Sequence, residues 1–161
     1  MNNLERKQVF VLDTNVLIGF SLWLPINVNT GFWRVLTDSL RKGEWVLLDA
    51  VVREIKYNSE LEKWCKEQGK AGLVKNITDV NKARAVEINN QYKMIDETTQ
   101  KSTVDTYLIA YAEANSLVVF SREGPKGNGD VLYKIPDVCD KLKIKRIRKP
   151  EDFMVAIGYK A

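Results

Sequence analysis

Four acidic residues carry the chemistry this chain can offer: Asp13, Glu54, Asp105 and Glu123. Asp13 ends the apolar run Val9–Leu12 in "VFVLDTNVLIGF", and Asn15 follows two positions later. Burying an unpaired carboxylate is expensive, so an acid at the end of a buried strand needs something to share its charge. In "VDTYLIAYA", Asp105, Leu108, Ile109 and Ala112 stand at i, i+3, i+4 and i+7, which puts the carboxylate on the buried stripe of a helix. Glu54 shares a face with Val51, Asn58 and Leu61 by the same arithmetic, and Glu123 follows the strand-like "LVVFS" by two positions. Two carboxylates ~4 Å apart repel by roughly 4 kcal/mol at an effective dielectric of about 20. A cluster of such acids is unfavourable unless it is protonated or holds a cation. With oxygen donors only, Mg²⁺ or Mn²⁺ is the natural choice.

Each acid also has a purely structural use. Asp13 could cap a helix starting near Thr14, and Asp105 could complete a capping box with Ser102. Glu54 would favour a helix N-terminus, and Glu123 could be a solvated loop residue. The functional reading gains weight from the four together, because an α/β order brings strand ends and helix starts to one edge.

The chain has no histidine. That removes Ser-His-Asp and Cys-His nucleophilic catalysis, imidazole base chemistry and nearly all catalytic zinc sites. Cys65 and Cys139 are far apart, and neither belongs to a C-x-x-C pair, which weakens a disulfide scaffold or a zinc ribbon. The net charge of +4 is a mild push towards anionic partners.

The elements that must position these acids alternate. Strand-like runs lie at Val9–Leu12, Trp45–Leu48 and Leu117–Phe120, with weaker ones at Leu73–Ile77 and Ile144–Ile147. Helical patterns fall between them, at about Gly31–Arg41, Val51–Lys66, Val80–Ile95 and Thr103–Ala114. This order predicts βαβ units round a parallel sheet covered on both faces, in one α/β domain over residues 1–161. A hydrophobic content of 45% and a charged content of 29% fit a folded domain with a substantial core. No apolar run reaches the ~18–20 residues of a membrane span. "MNNLERKQ" lacks a signal-type apolar core, so a cytoplasmic location is the expectation, with no membrane partner.

Placed in that order, "VFVLDTNVLI", "VVREI", "VDTYLIAYA" and "LVVFSRE" resemble the sequence blocks of PIN-domain nucleases, from Val9 to about Glu123. "FW" at Phe32–Trp33 and "KIPDVC" at Lys134–Cys139 resemble a subfamily described as toxins of toxin–antitoxin pairs. The resemblance implies a parallel sheet ordered 3-2-1-4-5 with an acidic pocket, and metal-dependent cleavage of single-stranded RNA. It assigns Asp13, Glu54 and Asp105 as the core catalytic and metal-binding acids, with Glu123 where the family more often has Asp. Asn15 would orient the first acid, and Ser121 stands at a position often held by Thr or Ser. The expected cofactor is Mg²⁺ or Mn²⁺. The expected partners are an RNA substrate and an antitoxin protein, and a homodimer is left open.

Other signals are weaker. "KLKIKRIRK" (Lys141–Lys149) reads either as a protected edge strand or as a phosphate-contacting rim, for which Lys145 and Arg146 are the candidates. The tryptophans read as core or interface residues ahead of base-stacking platforms. Asp137 reads as a helix-start residue after Pro136. Gly124–Asp130 lacks the Lys-Ser/Thr ending of a phosphate-binding P-loop. Two competing functions remain. One is an aspartyl-nucleophile phosphatase or phosphotransferase at Asp13, against which Asn15 stands where those enzymes typically carry a second Asp. The other is a PIN-like domain that binds RNA or protein without cleaving.

Overall fold

The structure is a computed structural model that describes residues 7–160. The charged opening Met1–Arg6 and Ala161 lie outside the described residues.

Among the described residues five short strands form one sheet: β1 (Phe10–Leu12), β2 (Trp45–Leu48), β3 (Val74–Lys75), β4 (Val118–Phe120) and β5 (Arg146–Ile147). All neighbours are parallel and the order is β3-β2-β1-β4-β5. The chain is therefore a single α/β domain with a five-stranded parallel sheet, as the alternation of patterns predicts. The three central strands consist of Phe, Val, Leu and Trp because a parallel sheet is covered on both faces. Among the described residues eight helices cover it: α1 (Thr14–Trp23), α2 (Thr30–Arg41), α3 (Asp49–Glu54), α4 (Ser59–Lys70), α5 (Asp79–Gln91), α6 (Thr103–Asn115), α7 (Ile135–Lys141) and α8 (Pro150–Ala156).

One feature of the register matters most for the site. Leu12 pairs with Phe120, and the amide of Asp13 continues the ladder by donating to the Phe120 carbonyl at 2.9 Å. Asp13 and Ser121 are therefore neighbours at the carboxyl edge of the two central strands.

The core beneath the sheet is aromatic. Phe153 of α8 sits 5.4 Å from Phe10, 5.2 Å from Phe120 and 6.1 Å from Phe20, ring centre to ring centre. Trp45 is fully buried, stacks on Trp64, and donates its indole N–H to the Leu36 carbonyl at 3.0 Å. Trp33 donates to the Leu24 carbonyl and Trp64 to the Thr37 hydroxyl. These three tryptophans are core residues, each with its polar N–H satisfied. Trp23 differs: it is 52% exposed, with the Arg122 guanidinium 4.0 Å above its ring.

Two elements depart from the sequence reading. The expected helix over Val51–Lys66 is two helices, because the chain turns extended at Ile55 and Tyr57 adopts a positive φ of 60°. Asn58 then opens α4 by accepting the Leu61 amide on its side chain at 3.2 Å. A residue that favours capping won over continuation of the helix. As a result, Glu54 lies at the last turn of α3 and is solvent-exposed, not in the first turns and pointing inwards. The second departure is α8, which no pattern in the sequence announced.

Candidate functional site

Asp13 stands at the N-cap position of α1, yet its side chain makes no capping bond. Its carboxylate accepts instead from the Ser121 hydroxyl at 2.8 Å, and the residue is 6% exposed. Ser121 in turn accepts the Glu123 amide on its Oγ at 3.1 Å, so one hydroxyl ties Asp13 to the loop that carries Glu123. Oε2 of Glu123 accepts the Ile135 amide at 3.2 Å, which pins that loop to the start of α7. On the other side, the Thr14 hydroxyl donates to Oε1 of Glu54 at 2.5 Å and joins the start of α1 to the end of α3. Thr14 is a positioning residue that the sequence reading passed over. The only signal for it was its place directly after Asp13.

Asp105 enters from the first turn of α6, half-buried, with Leu108, Ile109 and Ala112 of its stripe all buried as the register predicts. The capping box with Ser102 does not form, because Ser102 is left-handed, with φ of 75°, and its side chain does not cap the helix. The Ser102 side chain acts on Asp105 only as the smallest of the influences on its pKa, a lowering one. Burial raises the Asp105 pKa to about 8, and the charges of Asp13, Glu123 and Glu54 add to it in that order. Burial also raises Asp13 to about 6, with Glu123 and Glu54 adding repulsion against the Ser121 hydrogen bond. Asp13, Glu54, Asp105 and Glu123 therefore feel one another at a single edge of the sheet. Among the described residues, no three His, Cys, Asp or Glu side chains are drawn tightly enough together to grip an ion as they stand.

The remaining candidates lie elsewhere or act differently. The Asn15 side chain is exposed and makes no hydrogen bond among the described residues, so the contact that orients Asp13 comes from Ser121. Arg146 lies on the edge strand β5 and grips both carboxylate oxygens of Asp140, at 2.8 and 2.9 Å. Lys145 lines a depression of about 560 Å³ with Lys7, Leu117 and Lys143, at the amino edge of the sheet and away from the acids. Arg148 of the basic run lies at the carboxyl edge, where its Nε donates to the Arg122 carbonyl at 3.3 Å. Asp137 accepts the amides of Lys126 and Lys134, fastening the glycine-rich loop to α7. It is a structural residue, as its place after Pro136 suggests.

Fold and site together define a single-domain α/β protein whose parallel sheet carries an acidic cluster at its carboxyl edge. The chain belongs to the family described as Domain of unknown function (DUF4411), whose model matches residues 10–159. That span runs from the start of β1 to beyond α8 and includes all four acids. No curated protein matches the chain.

Proposed function

We propose that this chain is a metal-dependent endoribonuclease that hydrolyses phosphodiester bonds of single-stranded RNA. The observation that carries the reading is the convergence of Asp13, Glu54, Asp105 and Glu123 at the carboxyl edge, where Ser121 ties Asp13 to the loop of Glu123 and Thr14 ties the start of α1 to Glu54, and where burial first and the neighbouring acids second raise the Asp105 pKa. A group of acids at one sheet edge, in a chain with no histidine, is the oxygen donor set a hard divalent cation takes. The fit rests on that chemistry: every donor is an oxygen, and two of the carboxyls are held back from ionising by burial and by their neighbours' charge. Bound there, Mg²⁺ or Mn²⁺ would neutralise charge on the scissile phosphate and make water a better nucleophile.

The protein's own groups have separate tasks. Asp13 and Asp105 would hold the cation, and Glu54 and Glu123 would add oxygen donors from the rim of the site. Ser121 and Thr14 hold two of these carboxylates in orientation, the supporting role that outer partners play round metal ligands. A carboxylate is the group at hand to accept the proton of the attacking water. The finer reading, a toxin countered by an antitoxin protein, rests on the resemblance of the FW and KIPDVC segments. Phe32, Trp33 and Val138 of those segments are also core residues.

Purified protein should cut single-stranded RNA with Mg²⁺ or Mn²⁺ and stop when chelator is added. Asp13→Asn should lower turnover by more than the roughly 10–100-fold typical of losing a supporting contact round a metal, with the fold intact by circular dichroism. Equal cleavage by wild type and Asp13→Asn would assign the activity to a contaminant and overturn the proposal. Trapping of an acylphosphate on Asp13 would replace it with the phosphotransferase reading.

A further inference from the structure

Beside the acids, at the carboxyl edge, lies a second open cleft of about 540 Å³, within the size range of small-ligand sites. Glu54 forms part of its wall, so it opens directly onto the cluster. Val104 and Tyr107 line it from α6, on either side of Asp105 in sequence, and Ile77 lies buried at its base. Lys56 and Lys82 line it too. Arg53, the third cation there, is already held by Asp49 at 2.5 Å, whereas Lys56 and Lys82 make no ion pair among the described residues. The cleft thus combines two unengaged exposed ammonium groups, a half-buried aromatic ring and an apolar base. A polyanion approaching four carboxylates needs compensating cations close by, and this cleft supplies them.

We infer that this cleft is the docking subsite for the nucleotide next to the scissile phosphate in a single-stranded RNA, with Lys56 and Lys82 on the backbone phosphates and Tyr107 against the base. This rests on the nuclease reading and adds to it where the strand lies. Phosphate contact is thereby placed on Lys56 and Lys82, at the acidic edge, and not on Lys145 at the opposite edge of the sheet. An aromatic ring stacks on any base, so the subsite selects single strands whose bases are free and is tolerant of sequence.

The test uses full-length Asp13→Asn protein in chelator, so that binding is read without cleavage, and follows the anisotropy of a fluorescent single-stranded RNA decamer across a salt series. Added to that background, Lys56→Ala with Lys82→Ala should weaken binding about tenfold at low salt. It should also flatten the log K against log salt slope by about 1.4, since each phosphate contact on a single strand contributes about 0.7. Tyr107→Leu should weaken binding roughly fivefold or more, leave the slope unchanged, and be rescued by Tyr107→Phe. Lys42→Ala, before β2 at the amino edge, should change neither. Unchanged affinity and slope in the cleft variants would overturn the inference, as would a decamer that fails to bind the background protein at the lowest salt. Metal-dependent cleavage by the wild type, measured separately, tells whether the nuclease reading falls with it. If cleavage depends on Asp13 while the cleft variants bind normally, only the subsite is lost.

Discussion

Burial, with the charges of Asp13, Glu123 and Glu54 added to it, resists ionisation of Asp105, and the consequence is a stability that falls as pH rises. Its folded pKa of about 8 lies above the ordinary 3.8, so between about pH 4 and 8 the folded state holds a proton that the unfolded state has released. Stability then declines with increasing pH across that window and levels off above about 8. Asp13, raised to about 6, adds its share between about pH 4 and 6. A pKa displacement of one corresponds to ~1.4 kcal/mol. Discounted for the solvent that reaches a half-buried side chain, Asp105 should account for a loss of ~2–3 kcal/mol between pH 5 and 8 without metal. Urea denaturation in chelator should show this slope in the wild type and a much shallower one in Asp105→Asn, which is then the more stable protein at pH 8. Parallel pH dependence in the two proteins would show that Asp105 is not the strained group.

At the scale of elements, the parts that could be read from the sequence are those with a strong period or an uninterrupted apolar run. Val9–Leu12, Trp45–Leu48 and Leu117–Phe120 became the three central strands because only a doubly covered sheet hides such runs. The i, i+3, i+4, i+7 stripe placed Asp105 correctly because α6 continues undisturbed past it to Asn115. Glu54 was misplaced within its helix because local capping at Asn58 and the left-handed Tyr57 carry no periodic signal. The role of Ser121 as holder of Asp13 could not be derived from spacing, since the two are 108 residues apart and meet only through the β1–β4 register. The last helix, α8, leaves no periodic signal in the sequence because it is seven residues long and Phe153 is its only fully buried residue. That one residue packs against Phe10, Phe20, Trp45 and Phe120, so a weak local pattern holds a central packing position. Phe153→Ala should therefore cost ~3–5 kcal/mol, the range for emptying a large aromatic from a core. Phe153→Leu should cost markedly less. A loss below ~1 kcal/mol for the alanine variant in equilibrium denaturation would mean that α8 is docked by something other than this ring.

At the scale of the whole molecule, the acids belong to separate parts of the chain: the β1–α1 junction, the end of α3, the start of α6 and the loop after β4. Their repulsion acts between elements that the sheet and the aromatic core hold together, so it opposes the fold as a whole and not one helix. A cation that binds this edge must relieve it everywhere at once, and only in the folded chain, since the unfolded chain scatters the four carboxylates. Ligand linkage then fixes the size of the effect: an ion at about 100 times its dissociation constant adds ~2.7 kcal/mol. For a chain of this length that corresponds to a Tm higher by roughly 5–10 °C. Mn²⁺ or Mg²⁺ added to chelator-treated protein should produce such a shift in the wild type, with Ca²⁺ and monovalent salt at equal ionic strength as comparison. Asp13→Asn should begin from a higher Tm in chelator, because one repelling charge is gone, and should gain little from the metal. That inversion, with the variant more stable without metal and the wild type catching up with it, separates a specific site from general screening of surface charge, which would raise both proteins alike. Equal shifts in the two would remove the cation from the carboxyl edge, and with it the chemical basis of the nuclease reading.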